Sequence, residues 1–179
     1  MNSSRREATV ALTHLNAACT LARWLLVDPM EAENAVLEAC RKAIRCEARY
    51  YGGGAVARFL MLVRNECYAR LRSNRLSSGR DGIGKETAGG STASDIVNLD
   101  ARTATLKDAL LHLPLELREV IVLRELHELP YKDISTIIGV PARTIMSRLS
   151  RARVMLMESA FPEAGRAVPL ALCRIAGEI

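Results

Sequence analysis

Four arginines, Arg143, Arg148, Arg151 and Arg153, fall within the stretch Ala142–Arg153, which holds no acidic side chain. On a helix face that merely meets water, arginine usually alternates with glutamate. Here the acids gather upstream instead, at Glu116, Glu119, Glu125, Glu128 and Asp133. Written on a helix, Arg143, Met146, Ser147, Ser150 and Arg151 share the face opposite an apolar stripe of Ile145, Leu149, Ala152 and Leu156. Guanidinium groups bind phosphates and pair with guanine edges, serine hydroxyls bond to either, and a methionine touches a thymine methyl. An arginine-rich hairpin in a protein that never meets DNA is the plainer reading, and the missing acids argue against it. Arg148 lies nearest the apolar stripe, so a phosphate or an acidic neighbour competes for it.

A second basic stripe runs through Arg64, Tyr68, Arg72 and Arg75, at spacings of four, four and three. It backs onto Leu60, Val63, Cys67 and Leu71, the face expected to be buried. Cations interleaved with an aromatic suit a single strand, through phosphate attraction and stacking on unpaired bases. The preceding Tyr50-Tyr51-Gly52-Gly53-Gly54 offers aromatics on a flexible backbone; a core cap followed by a turn is an equal alternative for the tyrosines.

Other chemistry is poorly served. Cys19, Cys40, Cys46, Cys67 and Cys173 show no zinc spacing, and the three histidines are scattered, so neither a metal nor a cofactor is expected. The four cysteines before the linker sit at apolar helix positions and read as core. No nucleophile set, carboxylate pair with a cleft or phosphate loop after a strand appears, so the chain is not expected to be an enzyme. No stretch approaches a membrane span, and the reading is a cytoplasmic protein with no stable membrane insertion.

The elements that must hold these side chains are helical. The chain has 179 residues, 49% hydrophobic and 25% charged, with a net charge of +5 whose excess lies mainly in residues 1–76. Leucine, alanine, valine and arginine recur at helical spacing with no alternating β-branched run, so the expected class is all-α. Residues 76–98 are rich in glycine and serine and poor in large apolar side chains, and read as a flexible linker. The expected organisation is two small helical domains, 1–75 and 99–160, then a tail, 161–179, interrupted by Pro162, Gly165 and Pro169. In the second domain the predicted helices are Thr105–Leu113, Leu115–Glu128 and Pro130–Ile138. Gly139 then ends one helix and Pro141 opens the next, a helix-turn-helix plan.

The segment LPLELREVIVLRELHELPYKDISTIIGVPARTIMSRLSRAR, above all Thr144–Arg153, resembles the promoter −35-binding domain of bacterial RNA polymerase sigma factors of the extracytoplasmic-function group. Two stretches before the linker resemble the same family's −10-binding domain: EAENAVLEACRKA, Glu31–Ala43, and ARFLMLVRNECYARLR, Ala57–Arg72, with the Arg64-Asn65 pair. The resemblance implies a dissociable subunit that brings core RNA polymerase to selected promoters. It implies a polymerase-docking helix bearing Glu31, Glu33, Asn34, Leu37 and Glu38, which meets the β′ clamp helices, and a further contact of the second domain with the β flap. It assigns Tyr50, Tyr51, Arg64, Asn65, Tyr68 and Arg72 to the −10 region, and Arg143, Thr144, Met146, Ser147, Arg148 and Arg151 to the −35 region. An anti-sigma factor is the implied inhibitor. The chain departs from the family pattern at Asn34, Leu37 and Cys40, which replace an acid, a glutamine and an aromatic. It also has Arg58 for a tryptophan and Met146 for a basic residue. The alternative is a conventional dimeric helix-turn-helix regulator, which leaves the Arg64–Arg75 stripe without a purpose.

Overall fold

The computed structural model describes residues 13–45, 54–77 and 101–160. Among them there are helices and no strand. In chain order these are α1 Leu15–Leu26, α2 Pro29–Arg45, α3 Ala55–Ser77, α4 Ala101–His112, α5 Leu115–Ile121 running on as a π-helical turn Val122–Leu126, α6 Tyr131–Ile138 and α7 Ala142–Ala160. Tyr50 and Tyr51, Cys46, Cys173, residues 78–98 of the expected linker and the tail 161–179 lie outside the described residues. Residues 76 and 77, assigned to the linker by composition, continue α3.

The first three helices pack on one another. Asp28 opens α2: its Oδ1 accepts from the Met30 N–H at 2.9 Å and the Glu31 N–H at 3.2 Å, with Pro29 in the first turn where a missing N–H costs nothing. Val27 makes the reversal between α1 and α2 at φ 66°, a region β-branched residues rarely adopt, with its N–H returned to the Arg23 carbonyl at 3.0 Å. The buried stripe of α2 is Ala32, Ala35, Val36, Ala39 and Ala43, small side chains that let α1 and α3 approach closely. Of the predicted α3 stripe, Leu60, Val63 and Cys67 are buried and Leu71 is half-buried, nearer the end of the helix. Burial pushes the Cys67 thiol up to about 12, and burial likewise raises Cys19 and Cys40.

The turn before α7 follows the sequence reading. Gly139 closes α6 in the left-handed region at φ 79°, its N–H bonded to the Ser135 carbonyl at 2.9 Å. The carbonyl of Pro141 accepts the first helical bonds of α7 from Thr144 and Ile145. Ile145, Leu149, Ala152 and Leu156 are all buried. A Cβ on Gly139 would meet nothing within 4 Å. The cost of Gly139→Ala is therefore conformational, about 1–2 kcal/mol, read as a lowered denaturation midpoint with no change in transition slope.

Two expectations need correction. The predicted helix Leu115–Glu128 does not run through. It loosens at Val122 into a π turn, with the His127 N–H reaching the Val122 carbonyl at 3.2 Å, and the chain then turns at Glu128, φ 52°. Arg124 holds this turn, donating to the Leu129 carbonyl at 2.8 Å beneath the Tyr131 ring. Pro130 stands as the cap of α6 rather than in its first turn, because its extended backbone, ψ 149°, has not yet entered the helix.

The two groups of helices touch. Helix α1 packs on α5 and its π turn, and α3 packs on α6. Arg118 and Glu119 of α5 are both buried where these groups meet.

Candidate nucleic-acid and polymerase interfaces

Helix α7 presents Arg143, Met146, Ser147, Ser150 and Arg151 to solvent, with Thr144 half-buried. The four arginines of this helix divide in two. Arg148 turns back to Glu116 at 2.6 Å and Glu119 at 3.6 Å, and Arg153 pairs with Glu125. Arg143 and Arg151 make no ion pair among the described residues. They stand two turns apart, about 12 Å along the axis, with Met146 and Ser147 between them. The segment is free of acids in sequence but not in space: α5 and its π turn neutralise half of the charge. What remains is a compact donor surface on the first half of the second helix of a helix-turn-helix, the part that reaches base edges in such motifs.

On α3 the predicted stripe is also split. Asn65, Arg72 and Arg75 are exposed. Arg64 is 17% exposed at its side chain; its Nε donates to Glu119 Oε2 at 2.8 Å and a terminal nitrogen donates to Oε1 at 3.3 Å. Tyr68 donates its hydroxyl to the same Oε2 at 2.9 Å, and the Arg64 guanidinium lies 4.3 Å from the Tyr68 ring centre. Burial opposes charge on Arg64, but the Glu119 carboxylate outweighs it and the net shift is upward. Burial, reinforced by the Glu119 charge, raises the Tyr68 hydroxyl, so it stays a donor throughout the ordinary pH range.

Helix α2 carries the docking candidates. Glu33, Asn34 and Leu37 are exposed, and Glu31 and Glu38 are half-buried. The acids are partly spoken for: Glu31 accepts from Arg70 at 2.7 Å, Glu38 from Arg41 at 3.2 Å, and Glu33 lies 3.9 Å from Arg23. Of the apolar residues beside them, the sequence reading took Leu37 and missed Met30 and Ile44. Met30, Leu37 and Ile44 are 68%, 49% and 50% exposed and recur every seven residues on the outer face of α2. That spacing, outside the buried alanine stripe, was the available signal, and it forms a seam suited to a coiled-coil partner. No group of three or more potential metal ligands occurs among the described residues, and no described helix is long and apolar enough to cross a membrane.

Residues 103–156, from α4 to the last turns of α7, match the family Sigma-70, region 4. The chain is 30% identical to the RNA polymerase sigma-H factor of Pseudomonas aeruginosa over 137 residues, which are 70% of this chain and 71% of that protein. It belongs to the extracytoplasmic-function RNA polymerase sigma factors. Against the ECF RNA polymerase sigma-E factor of Haemophilus influenzae this sigma factor shows 45% identity over 49 residues, 27% of this chain and 26% of the relative. It superimposes with a TM-score of 0.69 and 28% identity on the sigma factor RpoE of Bartonella quintana, solved with the anti-sigma factor NepR, over 93% of this chain and 100% of that one. CnrH, solved with the cytosolic domain of CnrY, shares the fold at a TM-score of 0.65 and 16% identity, over 91% and 92% of the chains. This sigma factor is accordingly a promoter-directing subunit of RNA polymerase, and the dimeric-regulator reading is not favoured.

Proposed function

We propose that this sigma factor works as two promoter-reading modules, residues 1–75 and 99–160, held at a fixed separation by the polymerase. The −35 element is read by Arg143, Thr144, Met146, Ser147 and Arg151, with Arg148 turned inward as a clamp on Glu116 and Glu119. The −10 strand is met by Arg64, Asn65, Tyr68 and Arg72, with Tyr50 and Tyr51 ahead of them. Helix α2 docks on the β′ clamp helices through Met30, Leu37 and Ile44 flanked by Glu33 and Asn34, and residues 99–160 meet the β flap. The chain makes and breaks no covalent bond, acts in the cytoplasm beside the polymerase, and takes an anti-sigma protein as its inhibitor. The sigma factor RpoE of Bartonella quintana was solved with such a partner, NepR.

The observation that carries this reading is the bare pair Arg143 and Arg151 around Met146 and Ser147 on the second helix of the turn, in a segment of the Sigma-70 region 4 family. Two footprints on one tether gain effective concentration only when both engage together, so the free chain binds duplex promoters weakly and with strong salt dependence. The test is reconstituted transcription with core polymerase and mapping of start sites. Arg143→Ala is expected to relax discrimination at one upstream base pair by about tenfold, the scale of one bidentate arginine–guanine contact, leaving the downstream element unaffected. Equal loss at every promoter makes Arg143 a phosphate contact, and nanomolar duplex binding as a dimer without polymerase refutes the reading.

A further inference from the structure

Helix α6 carries two hydroxyl side chains in succession, Ser135 and Thr136, and they are used in opposite directions along the chain. Thr136 Oγ1 donates backwards to the Lys132 carbonyl at 3.1 Å, the bond that a helical serine or threonine ordinarily makes four residues upstream. Ser135 Oγ donates forwards instead, to the Val140 carbonyl at 2.5 Å. The Ser135 backbone carbonyl also accepts from the Gly139 N–H at 2.9 Å. One residue thus closes α6 with its main chain and, with its side chain, holds the peptide that leads into Pro141 and α7.

The turn has use for such a hold. Gly139 stands at φ 79° with open space where a Cβ would be, so no side chain limits rotation there. Pro141 sets its own φ through its ring. Between them, the Ser135 hydroxyl fixes the Val140 peptide. Downstream, the stripe that seats α7 on the core begins at Ile145 and continues through Leu149, Ala152 and Leu156, all buried. Arg143 lies ahead of the first of these anchors, where the course of the helix is set from the α6 side. Arg151 is flanked by Leu149 and Ala152. A change at the turn therefore reaches Arg143 and spares Arg151. Productive contacts hold a side chain to within about 0.5 Å, so a loosened first turn is felt as lost discrimination before it is felt as lost folding.

We infer that Ser135 is a positioning residue for the upstream promoter element: its hydroxyl, bonded to the Val140 carbonyl, fixes the direction in which α7 begins and with it the reach of Arg143 to its base pair. The inference rests on the proposed −35 role of Arg143. It adds a determinant on the first helix of the turn, one that acts through Arg143 and not by a contact of its own.

The test is reconstituted transcription with core polymerase on promoters carrying single base-pair changes in the upstream element, with circular dichroism and urea denaturation of each free variant. Arg143→Ala identifies the base pair that Arg143 reads. Ser135→Ala is expected to lower discrimination at that base pair about fivefold, the factor that one ordinary hydrogen bond represents. Discrimination at the base pair read by Arg151 and use of the downstream element stay as in wild type. In the double variant Ser135→Ala, Arg143→Ala the loss is expected to equal that of Arg143→Ala alone, because the two residues act as one unit. Ser135→Thr and Ser135→Val have nearly equal size and differ in the hydroxyl, so the test does not depend on one variant folding: Ser135→Thr is expected to keep discrimination and Ser135→Val to lose it. Thr136→Ala, which removes only the backward bond, should keep wild-type selectivity. Wild-type discrimination in a folded Ser135→Ala chain overturns the positioning role while leaving that of Arg143 standing. So does equal behaviour of Ser135→Thr and Ser135→Val, and so do losses that multiply in the double variant. If Arg143→Ala itself leaves every upstream base pair read as before, the −35 reading fails and the inference falls with it.

Discussion

Leu37→Asp is expected to weaken binding to core RNA polymerase about a hundredfold without altering the fold. The side chain is 49% exposed on α2, midway between Met30 and Ile44, while the buried face of the helix is carried by its alanines and Val36. A carboxylate at this position stays in water in the free chain, so folding stability should change by less than about 0.5 kcal/mol, as for other surface substitutions. In a docked coiled-coil seam the same carboxylate would be desolvated without a partner while an apolar anchor is lost, and central anchors of this kind cost about 2 kcal/mol or more. Glu31→Ala makes the contrast. Its carboxylate already accepts from Arg70 at 2.7 Å, so its removal should matter less to the polymerase than the loss of Leu37. Titration of labelled chain with core enzyme measures both. Equal affinity for wild type and Leu37→Asp rules out the outer face of α2 as the docking surface.

The parts of this molecule legible in its sequence are those whose cause is local. Gly139 marks a left-handed cap wherever it ends a helix, and Ile145, Leu149, Ala152 and Leu156 repeat at the period of α7; both stand as read. The stripe on α3 was legible for the same reason. What the sequence did not disclose is what happens at a distance. Glu119 looks like any acid in a helix that also carries Glu116 and Glu125. Its burial follows from Arg64 and Tyr68, more than fifty residues away in the chain. The same contact explains why the acid-free run before Arg153 overstated the charge available to DNA: two of its arginines meet acids contributed by α5 and the π turn. The π turn left no residue-type signal either, because slipping one hydrogen-bond register requires no special side chain. Only the seven-residue spacing that joins Leu37, already among the docking residues, to Met30 and Ile44 was open to view and passed over, because the acids of α2 drew the reading away from the two flanking apolar residues.

Leu149→Ala should cost about 2–5 kcal/mol of stability, the range for truncating a large aliphatic side chain in a closed core. Leu149 is 2% exposed on the inner face of α7, one helical turn after Ile145 and one before Ala152. Alanine on one side leaves little bulk to collapse into the space. Its neighbour Arg148 holds Glu116 and Glu119, so a shift of α7 is transmitted both to that ion cluster and to the outward-facing Arg143 and Arg151. The variant is therefore expected to show a lowered denaturation midpoint and reduced use of the upstream promoter element together. Arg151→Ala, on the exposed face, should lose upstream discrimination while staying within about 0.5 kcal/mol of wild type in stability. Urea denaturation and start-site mapping on the same two preparations separate the roles. If Leu149→Ala unfolds with a wild-type midpoint, then α7 is not seated on the core through that stripe, and the orientation that turns Arg143 and Arg151 outward loses its physical basis.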